Sequence, residues 1–345
     1  MIPIQNIYYM LSYAFQILNE QGYKNIATEQ FNNTAELMAA ILEKGIAIQL
    51  KRGLGKEYIQ QTDALSSLRG KIDIAESIKT QSMLRKQLIC TYDEFSVNSI
   101  MNRIVKSTVE LLLRSNISKQ RKKNLRKLMV YFSEVDFVNL HTVNWNVQYN
   151  RNNQNYRMLI SICYLVVKGL LQTQSDGSTK LMDFLDEQRM CRLYEKFILE
   201  YYRREFKNQI TANASQITWQ LDNDENSMLP VMQSDIMLQR DDRVLIIDAK
   251  YYEHSMQVQF NKNTLHSANL YQIFTYVKNK EYELREKDHT VSGMLLYAKT
   301  DEEIYPNNVY QMSGNQITVR TLDLNLPFTE IAEQLDTIAK LHFSL

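Results

Sequence analysis

The chain has 345 residues and a formal net charge of +1, which excludes a strongly basic or strongly acidic protein. Its length allows two domains with sizeable cores, and its 44% hydrophobic and 23% charged content is typical of globular proteins. Any contact with nucleic acid must therefore come from local basic patches.

The N-terminal sequence MIPIQNIYYMLSYAF lacks a basic leader, so no targeting signal is predicted. Apolar residues repeat at helical spacing from Ile7 to Leu18 and predict a first helix. A second helix is expected after Asn33, because Glu36 stands three residues further on and makes a capping-box-like start. The N-terminal half is therefore predicted to be mostly helical.

The segment from 46 to 95 has mixed periodicity, and LRGKIDI at 68–74 indicates a turn that enters a short strand. A long helix is predicted at 99–114, and the following KQRKKNLRKLMVYF is helical and strongly basic. A solvated helix face is the simpler interpretation of this basic run. A phosphate-tracking surface or a contact with an acidic partner is the alternative.

Residues 144–157 are polar and aperiodic, and we interpret them as the joint between two domains, 1–150 and 151–345. The sequence QTQSDGSTK at 172–180 is a rival boundary. The apolar stretch 158–171 is shorter than the ~20 residues that span a bilayer, so it is expected to be a core helix. Three scattered cysteines without metal-ligand spacing predict a reduced protein, and a cytoplasmic location without membrane contact is expected.

The second half alternates between helices and apolar strands, which indicates an α/β domain. Helices are predicted around 190–201, 267–279 and 328–342, strands near 216–220, 235–240, 244–250 and 291–298, and a hairpin about Gly314.

The predicted strand at 244–250 runs from an apolar segment into two charged residues. Asp248 and Lys250 are two apart and point to the same side of an extended strand, and the carbonyl of Ala249 remains available. Asp235 opens the preceding strand, and a hairpin turn at RDDR (240–243) would bring it close to Asp248. Two neighbouring carboxylates repel unless a cation lies between them, and Mg²⁺ suits such a site. Lys250 would then orient or deprotonate an attacking water and stabilise a pentavalent phosphate.

A surface salt bridge at the end of a strand is the plain alternative for an isolated DxK pattern. Three features favour the catalytic interpretation here: the apolar strand, Asp235 upstream after Pro230, and a following helix that carries Gln272.

The sequence LPVMQSDIMLQRDDRVLIIDAKYY resembles the PD-(D/E)xK nuclease motif in the version found in the McrC family, the nuclease subunits of McrBC-type, modified-cytosine-specific (type IV) restriction systems. The segments IPIQNIYYMLSYAF, RGKID, NRIVKSTV and HSANLYQIFTYV are also similar to McrC segments, so the resemblance covers nearly the whole chain. The proline of the motif lies at Pro230 and is not adjacent to Asp235.

The resemblance implies an α/β (α+β) fold: a mostly helical partner-binding domain, then a restriction-endonuclease-like domain with a central mixed sheet flanked by helices. It implies that Asp235, Asp248 and the Ala249 carbonyl hold Mg²⁺, for which Mn²⁺ substitutes, and that Lys250 is the catalytic lysine. Gln272 would position the phosphate or the lysine, or else be an exposed helix glutamine. Glu195 would belong to the metal site, or else be solvated.

The resemblance also implies partners. The N-terminal domain would dock on a hexameric AAA+ GTPase of the McrB type, and double-stranded DNA containing modified cytosine, such as 5-methylcytosine, would be recognised through that partner. The segment RGLGKEY lacks the GxxxxGK[ST] pattern, so this chain is not expected to bind nucleotide by a P-loop. Two alternatives remain: a catalytically inert assembly and GTPase-activating subunit, and a free-standing nuclease of the DNA-repair type.

Overall fold

The computed structural model describes residues 2–345 apart from 16–17, 19–22, 24–25, 27–28, 30, 32, 177–186, 224–227, 253–256, 260–261 and 300–304. The chain divides into two compact units. The sheet unit combines Met1–Ala27 with Leu185–Leu345, and the helical unit is Thr28–Phe184.

Helices and strands follow one another along both units. The helices are α1 (Ile4–Ala14), α2 (Thr34–Arg52), α3 (Ile74–Lys79), α4 (Ile100–Arg114), α5 (Lys119–Met129), α6 (Tyr156–Asp176), α7 (Glu187–Glu205), α8 (Ser267–Leu284) and α9 (Phe328–Phe343). The strands are β1 (Glu57–Leu65), β2 (Lys71–Asp73), β3 (Leu88–Ser96), β4 (Thr211–Asn213), β5 (Gln216–Ile217), β6 (Met232–Gln233), β7 (Ile236–Arg240), β8 (Arg243–Lys250), β9 (Gln257–Gln259), β10 (Lys262–Thr264), β11 (Thr290–Ala298), β12 (Asn308–Met312) and β13 (Asn315–Leu322).

The compact units differ from the predicted division at residue 150. Helix α6 belongs to the helical unit, where it packs against α2 and α4. Helix α1 belongs to the sheet unit, where the side-chain amide of Asn6 donates to the carbonyls of Leu324 and Leu326, both at 2.8 Å. The polar segment 144–157 lies within the helical unit. Local polarity marks an exposed loop, whereas membership of a unit depends on packing between distant segments.

The helical unit contains the predicted capping interaction at the start of α2. The side chain of Asn33 accepts a hydrogen bond from the Glu36 backbone amide at 2.9 Å, which satisfies one of the free amides of the first turn. Helix α6 contains the apolar stretch that was predicted to be a core helix, and Ile162 and Val166 are fully buried. No helix among the described residues is long and apolar enough to cross a membrane.

A three-stranded antiparallel sheet in the order β1-β3-β2 occupies the segment of mixed periodicity. The sequences of β1 and β3 do not alternate cleanly between apolar and polar residues, and most residues of both strands are at least partly exposed. The short strand predicted within LRGKIDI is β2. Gly70 precedes it with a φ of +68°, and a Cβ there would lie 2.3 Å from the Thr91 carbonyl oxygen, so only glycine fits.

The sheet unit is built on a six-stranded mixed sheet in the order β12-β13-β11-β8-β7-β4. Strand β11 is parallel to both β8 and β13, and the other pairs are antiparallel. Alternate residues of β8 face opposite sides: Val244 and Ile246 pack with Ile273 of α8, while Leu245 lies beside Ile338 of α9. The predicted α/β class and the central mixed sheet with flanking helices are confirmed.

One residue of the basic run in α5 has a structural role. The Arg121 guanidinium contacts three carboxylates of the helical unit, Glu43 at 2.8 Å, Glu29 at 2.7 Å and Glu36 at 3.4 Å. Arg121 is therefore engaged within its own unit, while the neighbouring Arg126 is exposed. The solvated-face interpretation holds for Arg126 and fails for Arg121.

Candidate active site

The β7–β8 hairpin brings Asp235 to Asp248, as the spacing of the two residues predicts. The antiparallel register pairs Arg240 with Arg243 and ends at Ile236 with Ile247, so the next position along places Asp235 opposite Asp248. The Asp235 carboxylate accepts a hydrogen bond from the Ala249 backbone amide at 3.0 Å. This bond fixes Asp235 beside the end of β8.

The side chain of Asp248 is almost completely buried, with 1% of the residue exposed. The ammonium of Lys250 lies 2.8 Å from Asp248 Oδ2, so both side chains point to the same side of the strand. Lys250 therefore compensates Asp248 Oδ2, whereas Asp248 Oδ1 is inaccessible to solvent and accepts no hydrogen bond from the described residues. Burial of a carboxylate with an oxygen that accepts no hydrogen bond costs folding free energy. This cost indicates a functional rather than a structural position.

The electrostatics of the pair follow from its burial. Burial raises the pKa of Asp248 to about 7, the Lys250 cation opposes that rise, and the Asp235 charge adds to it. For Lys250, burial disfavours the ammonium, but the adjacent Asp248 carboxylate outweighs it and raises the lysine pKa above its ordinary value. The raised pKa of Asp248 is therefore due mainly to burial, and the charges of Lys250 and Asp235 act on it in opposite directions.

Gln272 lies on α8 in contact with Lys250. Its side-chain carbonyl accepts a hydrogen bond from Lys250 Nζ at 3.3 Å, and its amide donates to the hydroxyl of Tyr276 at 2.9 Å. The lysine is thus held between Asp248 and Gln272. Gln272 is half-buried, so the alternative of an exposed helix glutamine does not describe it.

Glu195 on α7 is half-buried and faces the same site. Burial and the charge of Asp235 raise its pKa, whereas Lys250 and Arg192 oppose that rise. Its carboxylate accepts a hydrogen bond from the Cys191 thiol at 3.0 Å, and Cys191 Sγ also lies 3.9 Å from the Ala249 carbonyl oxygen. The structure therefore places Glu195 near Asp235 and not on a solvated face.

Comparison with known proteins decides the family. The family model described as McrBC 5-methylcytosine restriction system component matches residues 5–298, which is most of the chain. The chain belongs to this McrBC family. A curated relative, the type IV methyl-directed restriction enzyme EcoKMcrBC of Escherichia coli strain K12, is 28% identical over 346 residues, covering 97% of this chain and 96% of the relative.

Two solved structures from Thermococcus gammatolerans are also similar. One is a half-complex of McrB AAA+ hexamers with bound McrC, at 18% identity, a TM-score of 0.49, and coverage of 97% of this chain and 76% of that chain. The other is a cryo-EM structure of the McrBC complex, at 21% identity, a TM-score of 0.42, and 59% coverage of each chain.

In this member of the McrBC family, the donor set at the end of β8 fits a divalent cation that prefers oxygen. Asp235, Asp248 and the Ala249 carbonyl supply oxygen atoms, and Asp248 Oδ1 accepts no hydrogen bond from the described residues. No group of three or more His, Cys, Asp and Glu side chains in the described part of the chain is arranged to hold a metal. Two carboxylates and a backbone carbonyl suit Mg²⁺, which prefers oxygen ligands and keeps several waters, better than they suit a closed zinc site.

A network of three residues beside Lys250 was not predicted from the sequence. Asn269 in the first turn of α8 donates to the Tyr297 hydroxyl at 2.9 Å and accepts from Tyr252 at 3.3 Å. Tyr297 is the register partner of Lys250 in the parallel β8–β11 ladder. The segment HSANLYQIFTYV, which is similar to McrC segments, contains Asn269. Its spacing does not predict the contact between Asn269 and Tyr297 of β11, because that contact depends on how α8 crosses the sheet.

Proposed function

We propose that this chain is the metal-dependent DNA endonuclease subunit of a modification-dependent restriction complex. The observation that carries the proposal is the buried Asp248, which lies beside Asp235 and 2.8 Å from Lys250 and whose Oδ1 accepts no hydrogen bond from the described residues. Membership of the McrBC restriction family supports the same conclusion.

Each residue of the site has a defined part in this proposal. Asp235, Asp248 and the Ala249 carbonyl would hold Mg²⁺ or Mn²⁺, which when bound supplies positive charge to the scissile phosphate. Lys250 orients the attacking water and stabilises the negative charge that develops on the phosphorus oxygens. Gln272 holds the ammonium of Lys250 in place through its 3.3 Å hydrogen bond.

We further propose that the helical unit docks on a hexameric AAA+ GTPase of the McrB type. The solved half-complex combines McrB AAA+ hexamers with bound McrC. The helical unit has exposed apolar side chains around β2 and α3, where more than half of each residue is accessible: Leu68, Ile74, Ile78, Met83 and Leu84. Exposed apolar side chains that lie within a short stretch of sequence are candidates for a protein interface.

Recognition of modified cytosine is assigned to the partner, in agreement with the absence of a base-reading motif from the sequence. The chain would then contribute cleavage, and its docking would stimulate GTP hydrolysis.

One reconstitution separates this proposal from its two alternatives. The purified chain is combined with the AAA+ partner, GTP, Mg²⁺ and DNA containing 5-methylcytosine, and both cleavage and GTP hydrolysis are measured. We expect cleavage that requires the partner and that the Asp248→Ala variant lacks. Stimulated GTP hydrolysis without cleavage would identify an inert assembly subunit, and cleavage without the partner would identify a free-standing nuclease.

A further inference from the structure

The first turn of α8 is tied to the sheet by a buried side-chain amide. Asn269 is 6% exposed, and its amide nitrogen donates to the hydroxyl of Tyr297 at 2.9 Å. Its side-chain carbonyl oxygen accepts a hydrogen bond from the hydroxyl of Tyr252 at 3.3 Å. Both bonds therefore join α8 to other elements of the sheet unit and do not cap the helix itself.

Both tyrosines are neighbours of Lys250. Tyr297 is its register partner in the parallel β8–β11 ladder, and Tyr252 follows it by two residues in the sequence. Residues two apart in an extended chain face the same side, and the side chains of Lys250 and Tyr252 both contact α8. Asn269 therefore joins the helix to two positions beside the proposed catalytic lysine.

Apolar packing sets the distance between α8 and the sheet. Gly293 of β11 lies against the helix, where an added Cβ would be 2.8 Å from Ile273 Cγ1 and 2.9 Å from Val277 Cγ2. Apolar contact is non-directional, so it allows a helix to slide or rotate by small amounts. Hydrogen bonds are directional, and those of Asn269 therefore select one rotation of α8.

The rotation of α8 affects the active site through Gln272. This residue follows Asn269 by three positions, which makes the two side chains neighbours on the helix surface. The hydrogen bond from Lys250 to Gln272 is 3.3 Å long, near the upper limit for a bond of this kind. A movement of α8 by about 0.5 Å away from the strand would break it.

A buried amide at this position also needs an explanation. Ile273 and Val277, one and two turns further along α8, are apolar and fully buried in the core between the helix and the sheet. Burial of an amide costs free energy that its hydrogen bonds roughly offset, so an apolar residue would stabilise this contact as well or better. What Asn269 adds is the direction of its two bonds.

We propose that Asn269 is a positioning residue for phosphodiester cleavage: its bonds to Tyr252 and Tyr297 hold α8 in the rotation that brings Gln272 to Lys250. This inference rests on the proposed nuclease function. Because Asn269 is buried, it acts through Gln272 and not on the DNA itself.

The test compares the cleavage kinetics of two variants. Tyr297→Phe deletes the acceptor of the Asn269 amide but keeps the ring, and Asn269→Ala deletes both bonds. In the complex reconstituted with the AAA+ partner, GTP, Mg²⁺ and DNA containing 5-methylcytosine, we expect each variant to lower the maximal cleavage rate by about threefold to tenfold. The DNA concentration for half-maximal cleavage should change by less than about twofold, because the lost bonds orient a catalytic group and do not bind DNA.

A double-mutant cycle shows whether the network acts through Gln272. If it does, Tyr297→Phe combined with Gln272→Ala should cleave about as fast as Gln272→Ala alone, because the contact that the network supports is already lost. Losses that multiply in the double variant would overturn the proposal.

Tyr202→Phe is the matched control for stability. Tyr202 is a fully buried tyrosine of the same unit, and its hydroxyl donates to the Leu335 carbonyl at 3.0 Å. Its loss should lower the denaturant midpoint about as much as Tyr297→Phe but leave cleavage at the wild-type rate. Equal losses of cleavage in the two variants would assign the effect to general stability and overturn the proposal.

Tyr297→Phe decides the question even if Asn269→Ala does not fold. A wild-type cleavage rate for Tyr297→Phe would overturn this proposal alone. Absence of cleavage by the wild-type complex would overturn the proposed function and this proposal with it.

Discussion

Lys250 Nζ lies 2.8 Å from Asp248 Oδ2 at the end of a buried strand, and the two side chains share a site with Asp235 and Gln272. A carboxylate that is 1% exposed would normally be compensated by several hydrogen bonds. Asp248 has only the Lys250 ion pair among the described residues, so the arrangement is incomplete as a structural salt bridge and suits a bound cation.

Removing the Asp248 charge should abolish cleavage. Asp248→Asn keeps the side-chain volume but removes the proposed metal ligand charge, and we expect cleavage in the reconstituted complex to fall about a hundredfold or more. GTP hydrolysis by the same complex serves as the control for assembly. If the variant complex cleaves methylated DNA at the wild-type rate, Asp248 does not belong to the active site.

Asp235→Asn should change the metal dependence of cleavage. One ligand charge is lost from a site with two carboxylates, so a higher Mg²⁺ concentration should be needed and maximal activity should fall. The measurement is a Mg²⁺ titration of cleavage at saturating GTP and partner, with GTP turnover followed in parallel. Ca²⁺ should bind but support little cleavage, because its looser coordination positions water and phosphate poorly. Identical Mg²⁺ curves for wild type and variant, at equal GTP turnover, would rule out Asp235 as a ligand.

Gln272→Ala should lower the maximal cleavage rate more than DNA affinity, because Gln272 contacts Lys250. We expect a loss of about tenfold, the lower end of what supporting residues contribute at such sites. Gln311→Ala is the matched control, since Gln311 is an exposed glutamine on β12 of the same unit. A loss confined to DNA affinity would instead assign Gln272 to phosphate binding.

Ile78→Asp should weaken binding of the AAA+ partner while the fold is retained. Ile78 is 63% exposed on α3, so a carboxylate there costs little in the free protein but is unfavourable in an apolar interface. Leu341→Asp is the control, because Leu341 is 66% exposed but lies in the sheet unit. Equal partner binding by wild type and Ile78→Asp, measured by titration, would exclude this surface from the interface.

Arg121→Ala should destabilise the helical unit. The guanidinium contacts three glutamates, and its removal leaves three partly buried carboxylates without their common cation, which costs about 2 kcal/mol of unfolding free energy. Arg126→Ala on the exposed face of the same helix should cost less than about 0.5 kcal/mol. Denaturant titration of both variants measures the difference, and equal midpoints would show that the cluster is not stabilising.

The amino-acid sequence alone determined the parts of this protein that depend on neighbours along the chain. The period of a strand puts Asp248 and Lys250 on one side, the short RDDR turn sets Asp235 against Asp248, and the three-residue spacing from Asn33 to Glu36 produces the helix cap. Each result follows from backbone geometry over a few residues, where few alternatives exist.

Only the tertiary structure decided which distant segments meet. In the tertiary structure α1 belongs to the sheet unit, β1 pairs with β3, Arg121 contacts three glutamates, and a cavity lies beside α9. It also brought Asn269 to Tyr297 across 28 positions of the chain. These contacts are selected by the summed free energy of packing over many residues far apart in sequence. The pattern of any one segment therefore does not contain them.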